Sequence, residues 1–290
     1  MAGLVVGGVT ITHPERLVFG EGGPSKGEVA AYYEAVGRWM LPELRGRPLS
    51  LVRCPQGSTG PCFFQKHHAD TLGEHVHAVT LEEKGGDDAE YIYVDDVRGV
   101  LELVQMNTLE FHPWSSRADD PDKPDRMIFD LDPAQGVAWK AVVAGARMIR
   151  ERLADVGLES FVRASGGKGL HVVAPIRRGP SWDKVKAFCE SVADALVAEK
   201  PKLYIAEASK AKREGLIFID WLRNTRGATS VTGWSLRARP GAPVAMPLRW
   251  DEIARLKTGG AFDMKRALKR AKTLEADPWE GIASLKQVLP

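Results

Sequence analysis

The sequence predicts an α+β protein with mixed or antiparallel sheets flanked by helices. Apolar runs of strand length are interspersed with segments of helix length, but the two do not alternate strictly, as they would in a doubly wound parallel fold. Polar and glycine-rich turns separate several of the strand-like runs, and no internal repeat is present. At 290 residues, the chain has room for one large domain or two small ones.

The N-terminal part is predicted to contain short strands and one clear helix. The expected strands are residues 4–6 or 9–11, 49–53, and several within 81–109 that are divided by a glycine-rich turn at 85–88. Ser25 and Glu28 form a capping-box pattern, so a helix should begin there, and apolar positions continue it to Met40. Because proline cannot donate a backbone hydrogen bond, Pro42 is expected to end this helix. Residues 115–125 are polar, contain two prolines and are predicted to be an exposed connector.

The C-terminal part is predicted to carry a larger sheet with flanking helices. The expected strands are residues 127–132, 160–164, 170–175, 216–220 and 235–239. The expected helices are residues 138–154, 181–199 and a basic helix at 263–272. Ser181 is suited to cap the second of these helices. No strong change in composition divides the chain, so we predict a single catalytic domain over residues 1–290, with an N-terminal lobe of about 1–114 and a catalytic sheet lobe of about 126–290.

The overall composition excludes few functions. The charges of the 40 basic and 38 acidic residues nearly cancel. This balance does not indicate a nucleic-acid-binding protein, but it permits a local basic groove beside an acidic site. No apolar stretch reaches the length of a membrane span and no signal peptide is evident, so no membrane partner is expected. The three cysteines are an odd, low number, which argues against a disulfide framework and favours a cytoplasmic location.

Three carboxylates lie at or near the ends of apolar runs. Asp130 and Asp132 are two residues apart, so on a strand both side chains point to one face, and Asp220 ends a second run. Carboxylates brought together repel one another unless cations neutralise them, so these three are candidate ligands of a divalent metal ion. Two such ions can serve in-line displacement at a phosphate. The alternative is that Asp132 and the proline after it merely form a turn.

A glycine-rich turn at residues 165–171 joins two of the predicted strands. Its spacing differs from that of a Walker A loop, and it does not open a helix. Its chemistry nevertheless suits a phosphate group, because glycines expose backbone N–H groups and Ser165, Lys168 and His171 add donors or charge. The alternative is a tight hairpin with a solvated lysine.

Arginines follow the third carboxylate and recur near residue 237. Arg223 and Arg226 lie just beyond Asp220, while Arg237 and Arg239 alternate along a predicted strand and would share a face. Guanidinium groups bind phosphate oxygens in a bidentate manner, although arginines are also common as solvated surface residues.

The adjacent Phe63 and Phe64 would face opposite ways on an extended chain. One is expected in the core and the other could stack on a base beside Lys66, but burial of both is the more ordinary expectation. Nearby cysteines and histidines raise the alternative of a zinc site, although no C-x-x-C pair supports it. The residues considered for zinc are Cys54, Cys62, His67, His68, His75 and His77. His112 alone reads as a structural histidine.

Taken together, these motifs resemble the archaeo-eukaryotic primase superfamily. The segments that carry the resemblance are residues 130–132, 165–171 and 218–224. The chain as a whole is similar to the polymerase domains of bacterial ATP-dependent DNA ligase D, with further similarity in residues 53–66 and 235–241. This resemblance implies a primase-like, two-lobed catalytic domain.

The resemblance also implies roles for individual residues. Asp130, Asp132 and Asp220 would be the metal-binding catalytic residues. The implied nucleotide-binding residues are Ser165, Lys168, His171, His112, Arg223, Arg237 and Phe64. The residues implied to contact the DNA 5′-phosphate or the template are Arg16, Lys26, Arg53, Phe63 and Lys66. Arg16 stands where a lysine is expected in the family, so the charge is kept but the contact differs.

The implied activity is the addition of ribo- or deoxyribonucleotides to DNA 3′ ends during non-homologous end joining. Nucleoside triphosphates would be the substrates, with two Mn²⁺ or Mg²⁺ ions as cofactors. Implied partners are gapped or broken DNA with a 5′-phosphate, the end-binding protein Ku, and ligase and phosphoesterase modules if the chain belongs to a longer protein. The implied location is the bacterial cytoplasm, in association with the nucleoid.

Two other functions fit parts of the sequence. An apolar strand ending in Asp-x-Asp is also the first motif of a class of phosphatases and phosphotransferases. In such an enzyme Asp130 would be the nucleophile. That chemistry gives no role to Asp220 or to the glycine-rich turn. A non-catalytic DNA-end-binding module with a vestigial acidic site is the second alternative.

Overall fold

The structure, a computed structural model, describes residues 3–83 and 85–290 and confirms the α+β class. The strands are β1 (Leu4–Val6), β2 (Val9–Ile11), β3 (Leu49–Arg53), β4 (Phe63–Gln65), β5 (Val76–Glu82), β6 (Asp88–Val94), β7 (Thr108–Pro113), β8 (Arg126–Pro133), β9 (Phe161–Ala164), β10 (Leu170–Pro175), β11 (Tyr204–Ile205), β12 (Ile217–Asp220) and β13 (Met246–Leu248). The helices are α1 (Lys26–Leu44), α2 (Val97–Gln105), α3 (Trp139–Asp155), α4 (Trp182–Glu199) and α5 (Met264–Thr273). No helix in the described ranges is long and apolar enough to cross a membrane.

Two compact units make up the chain, and neither is continuous in sequence. The first contains residues 3–114, 231–245 and 262–275. The second contains residues 115–230, 246–261 and 276–290. The first stretch of the first unit ends at residue 114, and the two later returns of the chain to that unit give no signal in the sequence.

The first unit combines α1, α2 and α5 with three small sheets, β1–β2, β4–β3–β7 and β5–β6. Buried tyrosines of α1 hold the returning segment in place. Tyr32 donates to the carbonyl of Trp234 at 2.8 Å, and Tyr33 donates to the carbonyl of Leu109 at 2.6 Å while accepting from the N–H of Leu236 at 3.0 Å. A tyrosine hydroxyl with a partner costs little to bury, so these bonds fix the segment without a strand.

The second unit is built on a six-stranded sheet in the order β11-β12-β8-β10-β9-β13. Helices α3 and α4 pack on one face of this sheet and on each other. A Cβ placed at Gly145 of α3 would lie 3.0 Å from the Leu131 side chain, so Leu131 points towards that helix. Side chains alternate along a strand, and Asp130 and Asp132 therefore point to the opposite face. On that face Trp279 packs in a cluster with buried Ile128 and Phe161.

Three predicted elements differ from the structure. Helix α1 continues through Pro42 to Leu44, because a proline near the end of a helix removes only one hydrogen bond of the last turn. The region predicted as strands over 81–109 includes α2, whose N-cap Asp96 accepts from the N–H of Gly99 at 3.0 Å. Its apolar residues follow helical spacing, a signal that the strand prediction overlooked. Residues 235–239 form no strand, and only an isolated bridge joins Leu236 to Val244.

A disulfide joins Cys54 to Cys62, contrary to the expectation from the cysteine count. Strands β3 and β4 are antiparallel, and their last paired residues are Arg53 and Phe63. Cys54 and Cys62 come next on either side and so face each other, with their Cα atoms 4.3 Å apart. A count of cysteines carries no information on such pairing, whereas the hairpin topology does. Cys189 is buried and free.

Candidate active site

The three predicted carboxylates lie on or beside one row of residues across the six-stranded sheet. Asp130 of β8 is paired in register with Asp220 of β12 on one side and with His171 of β10 on the other. His171 is paired in turn with Arg163 of β9. Asp132 is two residues beyond Asp130 and shares its face. Three segments far apart in sequence therefore place acidic and basic groups together.

Arginines neutralise the carboxylates in the structure. The Nε atom of Arg223 lies 3.0 Å from Asp220 Oδ2 and 3.8 Å from Asp130 Oδ2. Arg213 Nη1 lies 3.6 Å from Asp132 Oδ2. Arg213, which no sequence motif indicated, also stacks its guanidinium group 3.6 Å from the centre of the Phe218 ring. A cavity of about 170 Å³ opens here, lined in part by these two arginines.

These ion pairs do not fully offset the desolvation of the carboxylates and the repulsion among them. Desolvation and the charge of Asp130 raise the pKa of Asp132 above its usual value, although Arg213 opposes the shift. Desolvation likewise raises the pKa of Asp220, with Asp130 adding to it and Arg223 opposing it. A further positive charge would relieve this repulsion.

The donor set fits a divalent metal ion in its chemistry. Asp130, Asp132 and Asp220 offer hard carboxylate oxygens, the ligands that Mg²⁺ and Mn²⁺ prefer. As the side chains stand, no group of three or more His, Cys, Asp or Glu residues in the described ranges is placed to hold a metal ion. Arg213 and Arg223 contact the same carboxylates, so a metal ion would compete with them for these oxygens.

The glycine-rich turn connects β9 and β10 as predicted. The Ser165 hydroxyl accepts from the N–H groups of Gly167 at 3.2 Å and Gly169 at 3.3 Å, so it shapes the turn from inside. Gly169 must lack a side chain, since a Cβ there would lie 1.8 Å from the carbonyl oxygen of Leu131 on β8. Lys168 is exposed at the tip, and its charge acts on Asp132. The turn therefore brings a cation close to the acidic row.

A buried arginine orients the histidine of the row. Arg163 is fully buried, and its Nε donates to His171 Nδ1 at 3.1 Å. Ser230 Oγ lies 3.1 Å from the same nitrogen and accepts from Arg163 Nη2 at 3.3 Å. A guanidinium group can only donate, so His171 Nδ1 accepts and the ring hydrogen lies on Nε2, which faces Asp130 Oδ1 at 3.4 Å. Arg163 is a site residue that the sequence analysis missed.

In the first unit, Glu110 contacts two of the other predicted nucleotide-binding residues, His112 and Arg237. His112 Nε2 lies 2.8 Å from Glu110 Oε2, and Arg237 Nε donates to the same oxygen at 2.8 Å. The other oxygen of Glu110 accepts from the N–H of Ala238 at 2.7 Å. Burial opposes the charged form, but the His112 hydrogen bond and the Arg237 charge lower the pKa of Glu110 to about 2. His112 is thus buried and paired with Glu110, a residue that no sequence motif indicated.

Both phenylalanines of β4 are exposed, which corrects the expectation that at least one lies in the core. Phe63 and Phe64 are 47% and 70% exposed because β4 lies at the edge of its sheet. The Phe64 ring lies 6.0 Å from the His112 ring in an edge-to-face arrangement. The Arg53 guanidinium group lies 5.5 Å from the centre of the Phe63 ring. Two exposed aromatic faces beside a cation suit the stacking of nucleobases.

The remaining basic residues singled out in the sequence differ in whether they pair with a carboxylate. Lys66 forms an ion pair with Glu83 and a hydrogen bond with the Tyr91 hydroxyl at 3.2 Å, so its charge is already matched. Arg226 pairs with Asp122 at 2.6 Å, and Arg239 is exposed.

Arg16 and Lys26 form a positively charged pocket in the first unit. Lys26 is 4% exposed, and its ammonium group donates to Gln105 Oε1 at 2.8 Å. Arg16 donates to Asn107 Oδ1, and its buried Nε has no partner. Neither cation pairs with a carboxylate in the part of the chain that the structure describes. Desolvation and the Arg16 charge lower the pKa of Lys26 to about 8, so the pocket has the features of an anion site.

The cysteines and histidines considered for zinc are engaged otherwise. Cys54 and Cys62 are bonded to each other. Three of the four histidines pair with carboxylates: His67 with Glu83, His75 with Asp96 and His77 with Asp95. The fourth, His68, has its Nε2 atom 3.3 Å from the carbonyl oxygen of Val76.

Comparison with known proteins identifies similar sequences. A family model described as the primase-polymerase domain of LigD matches residues 25–279. The chain is 34% identical over 283 residues to the multifunctional non-homologous end joining protein LigD of Pseudomonas aeruginosa, covering 97% of this chain and 33% of that protein. It is 25% identical over 263 residues to the bifunctional non-homologous end joining protein LigD of Bacillus subtilis, covering 90% of this chain and 42% of that protein. The chain thus spans about a third of the Pseudomonas relative and less than half of the Bacillus one.

A solved structure is similar over nearly the whole chain. The polymerase domain of Mycobacterium tuberculosis ligase D, determined in complex with DNA, superposes with a TM-score of 0.88 at 28% sequence identity. The match covers 95% of this chain and 98% of that one.

Proposed function

Because the chain belongs to the LigD primase-polymerase domain family, we propose that it is a nucleotidyltransferase that adds ribo- or deoxyribonucleotides to DNA 3′ ends at gaps and double-strand breaks. The observation that supports this most is the row formed by Asp220, Asp130 and His171 across three adjacent strands, with Arg213 and Arg223 beside it. It combines groups suited to a metal ion with groups suited to a phosphate.

Asp130, Asp132 and Asp220 would hold two divalent ions, Mn²⁺ or Mg²⁺. When bound, such ions stabilise the charge that develops on phosphate oxygens and activate a hydroxyl nucleophile. The glycine-rich turn, with Ser165 and Lys168, would offer backbone N–H groups and a positive charge to the nucleotide phosphates.

His171 and Arg223 would serve the nucleotide beside the acidic row. The proton on His171 Nε2 makes the ring a donor, and Arg223 supplies a fixed positive charge. In the first unit, His112, Arg237 and Phe64 would contribute donors and an aromatic face to nucleotide binding. Arg53 and Phe63 would contact the template, with Lys66 near them.

The rival enzymatic function fits this arrangement less well. A phosphatase with Asp130 as nucleophile requires neither Asp220 nor His171, yet these residues flank Asp130 in register. A DNA-end-binding module with a vestigial site would have no use for three carboxylates whose mutual repulsion raises the free energy of the folded protein.

The proposed setting is the repair of broken DNA in a bacterial cytoplasm, in association with the nucleoid. Non-homologous end joining is the process in the names of the relatives, which describe them as multifunctional or bifunctional. Ku and ligase and phosphoesterase modules are the proposed protein partners.

The decisive experiment is primer extension on a gapped duplex that carries a 5′-phosphate. Reactions with Mn²⁺ or Mg²⁺, and with ribo- or deoxyribonucleotides, would be compared with hydrolysis of a small phosphate ester. Extension that requires a 3′-hydroxyl and a nucleoside triphosphate supports the proposal. Ester hydrolysis without extension would support the phosphatase, and DNA binding without either reaction would support the binding module.

The Lys26 pocket predicts a pH-dependent preference for a 5′-phosphate on DNA. A bound phosphate dianion favours the ammonium form of Lys26, whose pKa is about 8 in the free protein. The contribution of the Lys26 charge to binding is therefore fully present below pH 8 and is lost as the pH rises above 8. We expect the ratio of affinities for 5′-phosphate and 5′-hydroxyl gapped duplexes to fall about tenfold between about pH 7 and 9.5.

Lys26→Met should abolish this pH dependence and lower the preference at pH 7. Lys140→Met, which removes an exposed lysine of α3, is the matched control and should change neither. Fluorescence anisotropy with the two duplexes measures both ratios. An unchanged pH profile in Lys26→Met would show that the pocket does not receive the phosphate.

Replacing Glu110 with Gln should weaken nucleotide binding about tenfold, because His112 and Arg237 lose their common charged partner. Glu34→Gln, at an exposed position of α1, is the control. The KM for the nucleotide and the Kd for DNA should be measured separately, since only the former is expected to rise.

Glu110→Gln should also change the stability of the fold with pH. The folded pKa of Glu110 is depressed to about 2, so its ionised form stabilises the protein above pH 4.5, and this contribution is lost as the pH falls towards 2. The difference in Tm between the parent and the variant should therefore shrink on acidification. A difference that is constant between pH 7 and pH 3 would contradict this account.

A further inference from the structure

The disulfide between Cys54 and Cys62 lies at the base of the hairpin formed by β3 and β4. It links the two ends of the loop formed by residues 55–61, one residue beyond the last paired residues of β3 and β4. Within the loop, the N–H of Ser58 donates to the carbonyl of Val18 at 2.7 Å. The disulfide thus ties the start of β4 to the sheet at a point next to Arg53 and Phe63.

Strand β4 depends on this attachment more than the other strands of its sheet. It has three residues, lies at the edge of its sheet and, among the described strands, pairs only with β3. Its two phenylalanines are exposed and therefore gain little from packing. A short edge strand without buried side chains is among the first elements to open, so a covalent link at its base has a large effect on its order.

The two cysteines differ in access. Cys54 is fully buried, whereas Cys62 is exposed. In a reducing cytoplasm, disulfides are usually transient and serve redox sensing or catalysis. Cys189 is buried and free, and burial raises its pKa well above the usual value, so it serves as an internal control.

We propose that Cys54 and Cys62 form a reversible thiol–disulfide switch that orders β4 and thereby strengthens its contact with DNA. The exposed Cys62 thiolate attacks one sulfur of a low-molecular-weight disulfide and releases one small thiolate. The Cys54 thiolate then attacks the Cys62 sulfur of the mixed disulfide and releases the second. The protein loses two thiol hydrogens and two electrons, the small disulfide becomes two thiols, and excess thiol reverses both steps.

The test of the redox step uses the full chain in buffers of defined ratio of glutathione disulfide to glutathione. Thiol alkylation followed by peptide mass spectrometry reports the state of each cysteine. Hydrogen exchange of residues 53–65 reports the order of the hairpin without any DNA. We expect reversible formation of the disulfide, slower exchange in the oxidised form, and a Cys189 thiol that does not respond.

The part of the test that measures DNA binding rests on the proposed function. Gapped duplex should bind about tenfold more tightly to the oxidised than to the reduced protein, because an ordered β4 presents its aromatic faces without further loss of entropy. Cys62→Ser, at an exposed position that tolerates a polar side chain, should bind like the reduced protein in every buffer. Cys189→Ser should keep the redox response.

The outcomes separate this switch from the proposed function. If the cysteines stay reduced in disulfide-rich buffers, or if oxidation leaves exchange of residues 53–65 and DNA affinity unchanged, the switch is wrong. If neither form binds DNA, the proposed function fails, and the DNA-facing role of the switch fails with it, although the exchange data still show whether the disulfide orders β4.

Discussion

Replacing Asp130 with Asn is expected to lower nucleotide addition by at least about a thousandfold while leaving the protein folded. Asp130 is the central carboxylate of the row, in register with both Asp220 and His171. An amide has the size of the carboxylate but lacks its charge, so the variant would lose metal binding without creating a cavity. Because the Asp130 charge raises the pKa values of Asp132 and Asp220, its removal should lower both.

The stability of this variant provides the second readout. The loss of repulsion among the carboxylates should keep the Tm equal to that of the parent or raise it by a few degrees, as about 1 kcal/mol shifts the Tm of a chain this size by roughly 2–4 °C. Asp155→Asn, at an exposed position at the end of α3, is the control for a change of charge alone. Primer extension, DNA affinity and thermal unfolding should be measured on all three proteins.

Two results would contradict the assignment of Asp130. Extension at more than a tenth of the parent rate would show that Asp130 is not required for the chemistry. A large fall in Tm or in DNA affinity would show instead that the carboxylate supports the fold. Only loss of extension with both other properties intact supports a catalytic carboxylate.

Much of the acidic site could be predicted because it follows from strand geometry and local chemistry. Asp130 and Asp132 at a spacing of two must share a face of a strand, and the structure places both on the face opposite α3 and α4. The glycine-rich turn and the helix capped by Ser181 also depend on local sequence, and both were found in the structure.

The parts that could not be predicted depend on contacts between distant segments. Arg163 and Glu110 belong to no motif, and their importance appears only when the register places Arg163 beside His171 and the returning segment brings Arg237 to Glu110. Helix α2 is a different case, because its apolar residues follow helical spacing and its local sequence could have predicted it. The exposure of Phe64 follows from the edge position of β4, which no local pattern encodes.

Replacing Arg163 with Met should lower kcat by about 10- to 100-fold and destabilise the fold by about 3 kcal/mol. Met fills a similar volume but cannot donate to His171 Nδ1 or to Ser230. The imidazole would then be free to rotate or to place its hydrogen on Nδ1, so that Nε2 no longer donates towards the acidic row. Arg163 touches no substrate in this account and is a positioning residue.

Arg163→Lys distinguishes positioning from a general effect on stability. A lysine ammonium group can donate to His171 Nδ1, so this variant should recover a large part of kcat even if packing against the Trp279 ring, 5.5 Å from the guanidinium group, is imperfect. Ser230→Ala removes the second neighbour of Nδ1 and should have a smaller effect. Kinetics should be measured well below the Tm of each variant, where the unfolded fraction is negligible.

The ¹⁵N chemical shifts of the His171 ring give a readout that a purely structural role would not change. In the parent the hydrogen should be on Nε2, and in Arg163→Met the two forms should mix. If Arg163→Met and Arg163→Lys lose kcat in proportion to their loss of stability and the ring keeps its hydrogen on Nε2, Arg163 only supports the fold. A recovered kcat in the lysine variant with an unmixed ring would mean that a donor beside Nδ1 determines how His171 faces Asp130, and that the row across the sheet works as one unit.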